Sequence, residues 1–380
     1  MKFITLSQFL KIFQSSPADN QTIDEFISSA KVVVNEKAHT LKDYMHHKKI
    51  DKSVIELLYT NIQNRTAYLT RFYNTSLLVN DDNTTIHSNI EPMKREHIDN
   101  NKAVLYKNVI RNMHLYEILQ KTKSGFHNNP SYLDVVLDLY TKNRINYKIL
   151  TPSAVFYMKK GRLGSVFSSF YFRASIMNPY LVYSLNRSIL KGTKIFTPTL
   201  GWSSYLIGFL ECPEVVEYVG TDVIPDVCKK TKNYAKKYDA DVHILCKPSE
   251  KLLESKSFIN KYREHFDVVF FSPPYYKLEL YDSKNQSTDT YDTYDEWLQK
   301  YWEKTIMLSQ LLLEKGGKIC YIISDYGSTN VKQKYDLVKD MNDITKKYFH
   351  FISNQSMYNK NVHSTSHRET GERIIIFEKK

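Results

Sequence analysis

From about residue 190 onward, seven short apolar runs alternate with helix-length segments, and this alternation limits the fold more than any other feature. The runs are TKIFTP (193–198), VEYVGTD (216–222), DVHILC (241–246), FDVVFFS (266–272), GKICYIIS (317–324), YFHFIS (348–353) and RIIIFE (373–378). Helices are expected between them around 202–211, 225–238, 292–314 and 329–346. Continuous apolar runs suit strands buried on both faces, and strands alternating with helices give a mostly parallel, doubly wound sheet. Ligands of such sheets gather beyond the carboxyl ends of the strands, so the residues just after each run are the candidates for function.

The chain upstream has a different texture. Segments such as IDEFISSAKVVV, SVIELLYTNIQNRTAYLTRFY, AVLYKNVIRNMHLYEILQK and YLDVVLDLY repeat apolar residues three and four positions apart, which predicts helices. A length of 380 residues exceeds one average domain. The expected organisation is therefore a helical N-terminal domain over 1–150, a basic, aromatic-rich extension over 151–195 and a sheet domain over 196–380.

Charge singles out the middle piece. Of the net +12, residues 151–195 contribute +7, with seven Lys/Arg and no acid, whereas 196–380 is balanced. Lys159, Lys160, Arg162 and Arg173 stand there among Phe156, Tyr157, Phe167, Phe170, Tyr171 and Phe172. Cations interleaved with aromatics suit a polyanion that carries stackable bases, and a solvated helix face over core aromatics is the alternative.

The fourth run is followed by SPPYYKLELY (272–281). Two prolines cannot continue a strand ladder, so they end it and leave the Ser272 and Pro273 oxygens projecting from the strand end. The amine on adenine or cytosine is a poor nucleophile because its lone pair is delocalised into the ring. Acceptors such as Ser272 Oγ and the Pro273 carbonyl can orient that amine, Pro274 fixes the turn, and Tyr275 can stack on a base taken out of a helix.

This Ser-Pro-Pro-Tyr resembles the [Asp/Asn/Ser]-Pro-Pro-[Tyr/Phe/Trp] motif of the S-adenosylmethionine-dependent amino-methyltransferases that act on nucleobases. Gly201-Trp202, SPPYYKLELY, YDTYDEWLQKYW and the closing RIIIFEKK look more narrowly like the DNA methylases of phages and large DNA viruses. The resemblance covers about residues 175–380. It implies an α/β fold with a class I, Rossmann-like methyltransferase sheet behind an N-terminal α-helical domain. It further implies S-adenosylmethionine as cofactor, with Thr197, Pro198, Gly201 and Trp202 at its methionine part, Asp222 on the ribose hydroxyls, and Ser249 and Glu250 near its adenine. The implied reaction is N6-adenine or N4-cytosine methylation of DNA. An RNA base methyltransferase and a non-catalytic nucleic-acid-binding protein on a degenerate fold are the alternatives. The last is favoured by one departure: Thr197-Pro198-Thr199-Leu200-Gly201-Trp202-Ser203 stands where the family commonly has Asp-Pro-Phe-x-Gly-Trp-Gly.

Base recognition is expected in the polar connection SNQSMYNKNVHSTSHRETGE (353–372), where Asn361 and Arg368 carry side chains suited to base edges. Cys212, Cys228, Cys246 and Cys320 have no CxxC spacing, so no disulfide framework and no metal site is expected; a reducing, cytoplasmic compartment is, that of a host cell if the chain is viral. No run approaches the length of a membrane span, so no membrane partner is expected.

Overall fold

The computed structural model describes residues 2–125, 129–281, 284–325, 335–357 and 371–380. Twelve strands are present among them. Three form a small sheet in the N-terminal region: β1 (Lys31–Val34), β2 (Lys37–Thr40) and β4 (Arg144–Asn146). Two more, β3 (Lys123–Ser124) and β9 (Glu279–Leu280), pair with each other. The remaining seven, β5 (Lys194–Thr197), β6 (Glu217–Asp222), β7 (Asp241–Cys246), β8 (Phe266–Phe271), β10 (Leu313–Ile323), β11 (Phe349–Ser356) and β12 (Arg373–Lys379), form the main sheet.

The main sheet runs β11-β12-β10-β8-β5-β6-β7. Its β7-β6-β5-β8-β10 pairs are parallel, and β12 is antiparallel to both neighbours. Each of the seven apolar runs has become a strand of this Rossmann-like α/β sheet. The chain leaves β5 toward β6 and β7, then crosses back to β8 on the other side. That reversal between β5 and β8 opens a crevice at their carboxyl ends, as strand-order switches do. β8 is a continuous apolar strand because both faces are covered: Phe266, Val269, Phe270 and Phe271 are fully buried. Trp297 and Trp302, from the segment expected to be helical at 292–314, are also fully buried, and their indole N–H groups donate to Ser287 Oγ and the Met341 carbonyl at 2.9 Å each.

The N-terminal region departs from an all-helical reading in its four short strands β1 to β4, most sharply at β1. IDEFISSAKVVV forms a helix only over Ile23–Ser29; Lys31–Val34 is a strand that turns through Asn35 and Glu36, both at positive φ, into β2. Three consecutive β-branched valines favour the strand, and two residues with φ above zero make the tight hairpin connection. This region is clamped to the main sheet's helices. Glu117 receives Lys230 Nζ at 2.8 Å, and the Glu211 carboxylate accepts the Ile86 and His87 amides at 2.6 and 3.2 Å. β3 also reaches β9, just beyond the Ser-Pro-Pro-Tyr segment. There Gly125 is obligatory, because a Cβ would lie 1.7 Å from the Lys277 carbonyl oxygen.

Candidate active site at the carboxyl edge of the sheet

A cavity of about 330 Å³ lies over the carboxyl ends of β5, β6, β7, β8 and β10. Pro198, Gly201, Trp202, Asp222, Ser249, Glu250, Ser272, Pro273, Pro274 and Tyr275 all line it. Four separate strand ends thus bring their candidates to one place. Thr197 is the exception: it is fully buried, and its hydroxyl lies 2.6 Å from the Tyr218 hydroxyl inside the sheet.

The loop after β5 has an unusual backbone. Gly201, Trp202 and Ser203 take φ of 50°, 57° and 69° in succession. Two non-glycine residues in the left-handed region cost of order 1 kcal/mol each and persist only where neighbours hold them. The neighbours are visible. Ser203 Oγ lies 2.9 Å from His114 Nε2 and 2.6 Å from Thr231 Oγ1. Trp202 packs edge-on against Tyr281, with centroids 5.6 Å apart. Burial pushes the His114 imidazole down to about 3, so it is neutral at pH 7. At Gly201 a Cβ would meet the Tyr205 ring at 2.3 Å, so only glycine fits.

Asp222 ends β6 and joins two loops. One carboxylate oxygen accepts the Leu200 amide and the other the Ile224 amide, each at 3.1 Å. Burial raises its pKa, and those backbone hydrogen bonds oppose the rise. Ser249 is buried with its hydroxyl 3.1 Å from Thr305 Oγ1, and Glu250 accepts the Tyr291 hydroxyl at 3.2 Å.

The Ser-Pro-Pro-Tyr segment is fixed at both ends. The Ser272 amide donates to the Tyr205 hydroxyl at 3.0 Å, and the Ser324 amide donates to the Tyr275 hydroxyl at 2.6 Å. Tyr205 comes from the helix Ser204–Leu210 and Ser324 from the end of β10, so the segment is bridged to elements on either side. Ser272 Oγ makes no hydrogen bond among the described residues, nor does the Pro273 carbonyl. Asp325, also at the end of β10, is committed elsewhere: it accepts the Val338 amide at 2.9 Å, in the first turn of the helix Leu337–Lys346.

Four carboxylates line the cavity: Asp222, Glu250, Glu279 and Glu372. Burial raises the pKa of every one. Motif reasoning on the sequence misses Glu279 and Glu372. Glu279 accepts the Ser175 amide and the Tyr281 hydroxyl at 3.0 Å each, and its position seven residues after Ser272 is the signal that could have found it. Glu372 reaches the cavity from just before β12, and no local pattern marks it.

The basic stretch lies differently. Lys159 lines a second cavity with Lys48, Lys49 and Phe156, and that cavity shares no residue with the first. Lys160 sits 4.2 Å over the Phe156 ring, Arg162 is exposed, and Arg173 lies 6.0 Å over Tyr132. Of the aromatics expected to stack on bases, Phe167 and Tyr171 are core residues, and Phe156 alone in the set is exposed. Asn361 and Arg368 lie outside the described residues. Among the described residues, no group of three His, Cys, Asp or Glu is placed to hold a metal ion, and no helix is long and apolar enough to cross a membrane.

No protein-family model matches the chain, and no curated protein does. Solved structures similar to part of it include the N-methyltransferase NodS from Bradyrhizobium japonicum WM9 in complex with S-adenosyl-L-homocysteine, at 10% identity and a TM-score of 0.34 over 52% of this chain and 83% of that one. TrmN from Thermus thermophilus is similar at 13% identity and a TM-score of 0.36, over 54% and 49% of the two chains. The Methanococcus jannaschii fibrillarin pre-rRNA processing protein is similar at 11% identity and 0.32, over 49% and 66%.

Proposed function

We propose that the protein transfers a methyl group from S-adenosylmethionine to the exocyclic amine of adenine or cytosine in DNA. The observation that carries this reading is the pair of acceptors, Ser272 Oγ and the Pro273 carbonyl, held rigidly at the mouth of a cavity lined by four carboxylates. Such a lining suits a ligand and a reaction that carry positive charge, because preorganised negative groups in a dry site favour a cation strongly. S-adenosylmethionine, when bound, supplies an electrophilic methyl group on a positively charged sulfur.

The residues fit that cofactor. Asp222 retains lone pairs for ribose hydroxyls beyond the two it gives to backbone amides. The left-handed backbone at Gly201–Ser203 brings the chain close to the methionine part, and Pro248–Glu250 borders the adenine. Ser272 Oγ and the Pro273 carbonyl each accept a hydrogen bond from an N–H of the target amine, which points its lone pair at the methyl group. Tyr275, its ring fixed by the bond from Ser324, stacks on the base.

Two measurements test the reading. Calorimetry with S-adenosylmethionine should show one site per chain, and methyl transfer should be seen to duplex DNA in competition with structured RNA. Binding without transfer to either points to a nucleic-acid-binding role, and transfer to RNA alone moves the substrate class.

A further inference from the structure

A series of three hydrogen bonds runs from the N-terminal region into the loop after β5. His114, between the helix Lys107–Met113 and the helical turn Glu117–Lys121, is fully buried. Its Nε2 lies 2.9 Å from Ser203 Oγ, which lies 2.6 Å from Thr231 Oγ1. Thr231 stands on the helix Pro225–Ala235, and its hydroxyl donates to the Val227 carbonyl at 2.7 Å. Counting protons gives the series a direction. A carbonyl oxygen only accepts, so the single Thr231 hydroxyl proton is committed to Val227, and Thr231 Oγ1 meets Ser203 as an acceptor. Ser203 then gives its own single proton to Thr231 and receives one from His114. The donating ring nitrogen is therefore Nε2, and Nδ1 carries the lone pair.

The environment of the ring agrees with that direction. His114 Nδ1 has no hydrogen-bond partner among the described residues, so a proton there would be a buried donor with nothing to receive it. Ser203 is the last residue of the left-handed run Gly201–Ser203, whose first two residues line the cavity. Thr231 belongs to the helix that begins at Pro225, just after Asp222 at the end of β6. The N-terminal region holds the same helix by two ion pairs, Glu117 with Lys230 at 2.8 Å and Lys121 with Asp226 at 3.5 Å. One buried imidazole thus joins the loop after β5 to the helix after β6.

We propose that His114 is a positioning residue for the cofactor: as an Nε2–H donor it holds Ser203, and through Ser203 the Gly201–Trp202 backbone, in the conformation that takes the methionine part of S-adenosylmethionine. The proposal rests on the methyl-transfer reading for what the loop holds. His114 does not line the cavity, so it acts on the cofactor only through that loop. The N-terminal region then has a part in cofactor binding, because the donor that fixes two non-glycine residues at positive φ comes from it.

The test uses the full chain and two readouts, nitrogen NMR of isotope-labelled histidine and calorimetry with S-adenosylhomocysteine. The His114 signals, identified by their loss in His114→Gln, should show a protonated Nε2 and a bare Nδ1. A protonated Nδ1 overturns the proposal. His114→Leu and Ser203→Ala are each expected to weaken S-adenosylhomocysteine binding by about tenfold, the worth of one hydrogen bond. His114→Gln, whose side-chain amide can donate from the place of Nε2, should stay within about threefold of wild type. A histidine that only fills space would lose affinity in the Gln variant as in the Leu variant, and that result overturns the proposal, as does unchanged affinity in Ser203→Ala. Should His114→Leu fail to fold, Ser203→Ala and the wild-type spectrum decide. Wild-type protein that binds no S-adenosylhomocysteine overturns the cofactor reading itself, whereas wild-type binding with unaffected variants overturns the role of His114 alone.

Discussion

The carboxyl edge of the main sheet and the basic stretch at 151–195 both carry concentrated charge, yet they handle it in opposite ways. At the sheet edge four of the charged groups are acids, half-buried or buried in the cavity lining beside one exposed cation, Lys247, and two of the acids are tied to backbone amides: Asp222 to Leu200 and Ile224, Glu279 to Ser175. In the basic stretch most are cations on the surface, and among the described residues only Arg187 of that stretch forms an ion pair, with Glu214 at 2.8 Å. The first arrangement fixes side chains to within a hydrogen bond and suits chemistry on a small group. The second leaves long side chains loosely held and suits a polyanion, whose attraction needs no fixed geometry. Precision and reach are thus assigned to different parts of one chain.

The largest effect should come from breaking the precise region. Asp222→Ala leaves two loop amides without their acceptor and removes the ribose partner, each charge-assisted bond being worth about 1.5–3 kcal/mol. Affinity for S-adenosylmethionine should fall by at least tenfold in calorimetry, while oligonucleotide binding keeps its salt slope. A fall in both together would erase the division between the two regions. Tyr205→Phe is a finer cut. It removes the acceptor of the Ser272 amide and keeps the ring, so cofactor affinity should hold while methyl transfer drops by about tenfold, the cost of a displaced Ser272–Pro273 pair. Transfer at the wild-type rate would show that the bond does not position the acceptors.

The two regions also differ in how far the sequence reveals them. All seven main-sheet strands are readable as apolar runs; for the inner strands burial on both faces demands them, while the edge strands β7 and β11 are largely exposed or half-buried. Strand ends then name the lining: Pro198, Gly201, Asp222 and Ser272 need only that rule. Thr197 breaks the rule by one residue, since successive side chains alternate faces and its hydroxyl turns inward to Tyr218. Glu372 and His114 are not readable at all. They reach the site through tertiary packing, one from the start of β12 and one from the N-terminal region. In the basic stretch, composition identifies the cations but cannot separate core aromatics from surface ones, so Phe167 and Tyr171 look the same as Phe156. The departure of KVVV from the helical pattern has the same origin: a three-residue β-branched run is settled by its partner strands β2 and β4.

Acid titration should sharpen the contrast at intermediate size. Burial raises all four cavity carboxylates, so they take up protons at higher pH than the ordinary carboxylate range of about 4. Folded protein then binds more protons than unfolded. These groups therefore favour folding below the unfolded pKa and lose that contribution as pH rises through the folded values. A cationic ligand works the other way, because it needs the ionised form. Affinity for S-adenosylmethionine should weaken as pH falls through the raised values, and calorimetry at a series of pH values below neutrality would detect it. Oligonucleotide binding to the surface cations should not weaken over the same range, since Lys and Arg stay charged.

The smallest effect belongs to the surface itself. Lys159, Lys160 and Arg162 are exposed and form no ion pair among the described residues, and Lys160 has the Phe156 ring beneath it. Each gains from a phosphate by releasing a counterion, a contribution that disappears in salt and is blind to sequence. Replacing all three with Ala should flatten the salt slope for duplex DNA by up to about 0.9 for each phosphate no longer neutralised, equally for every sequence tried. Methyl transfer at saturating DNA should stay at the wild-type rate, because none of the three lines the cavity over the sheet. An unchanged slope would make this face a solvated helix surface. A lower saturated rate would instead bring the second cavity, which Lys159 lines, into the positioning of the target base.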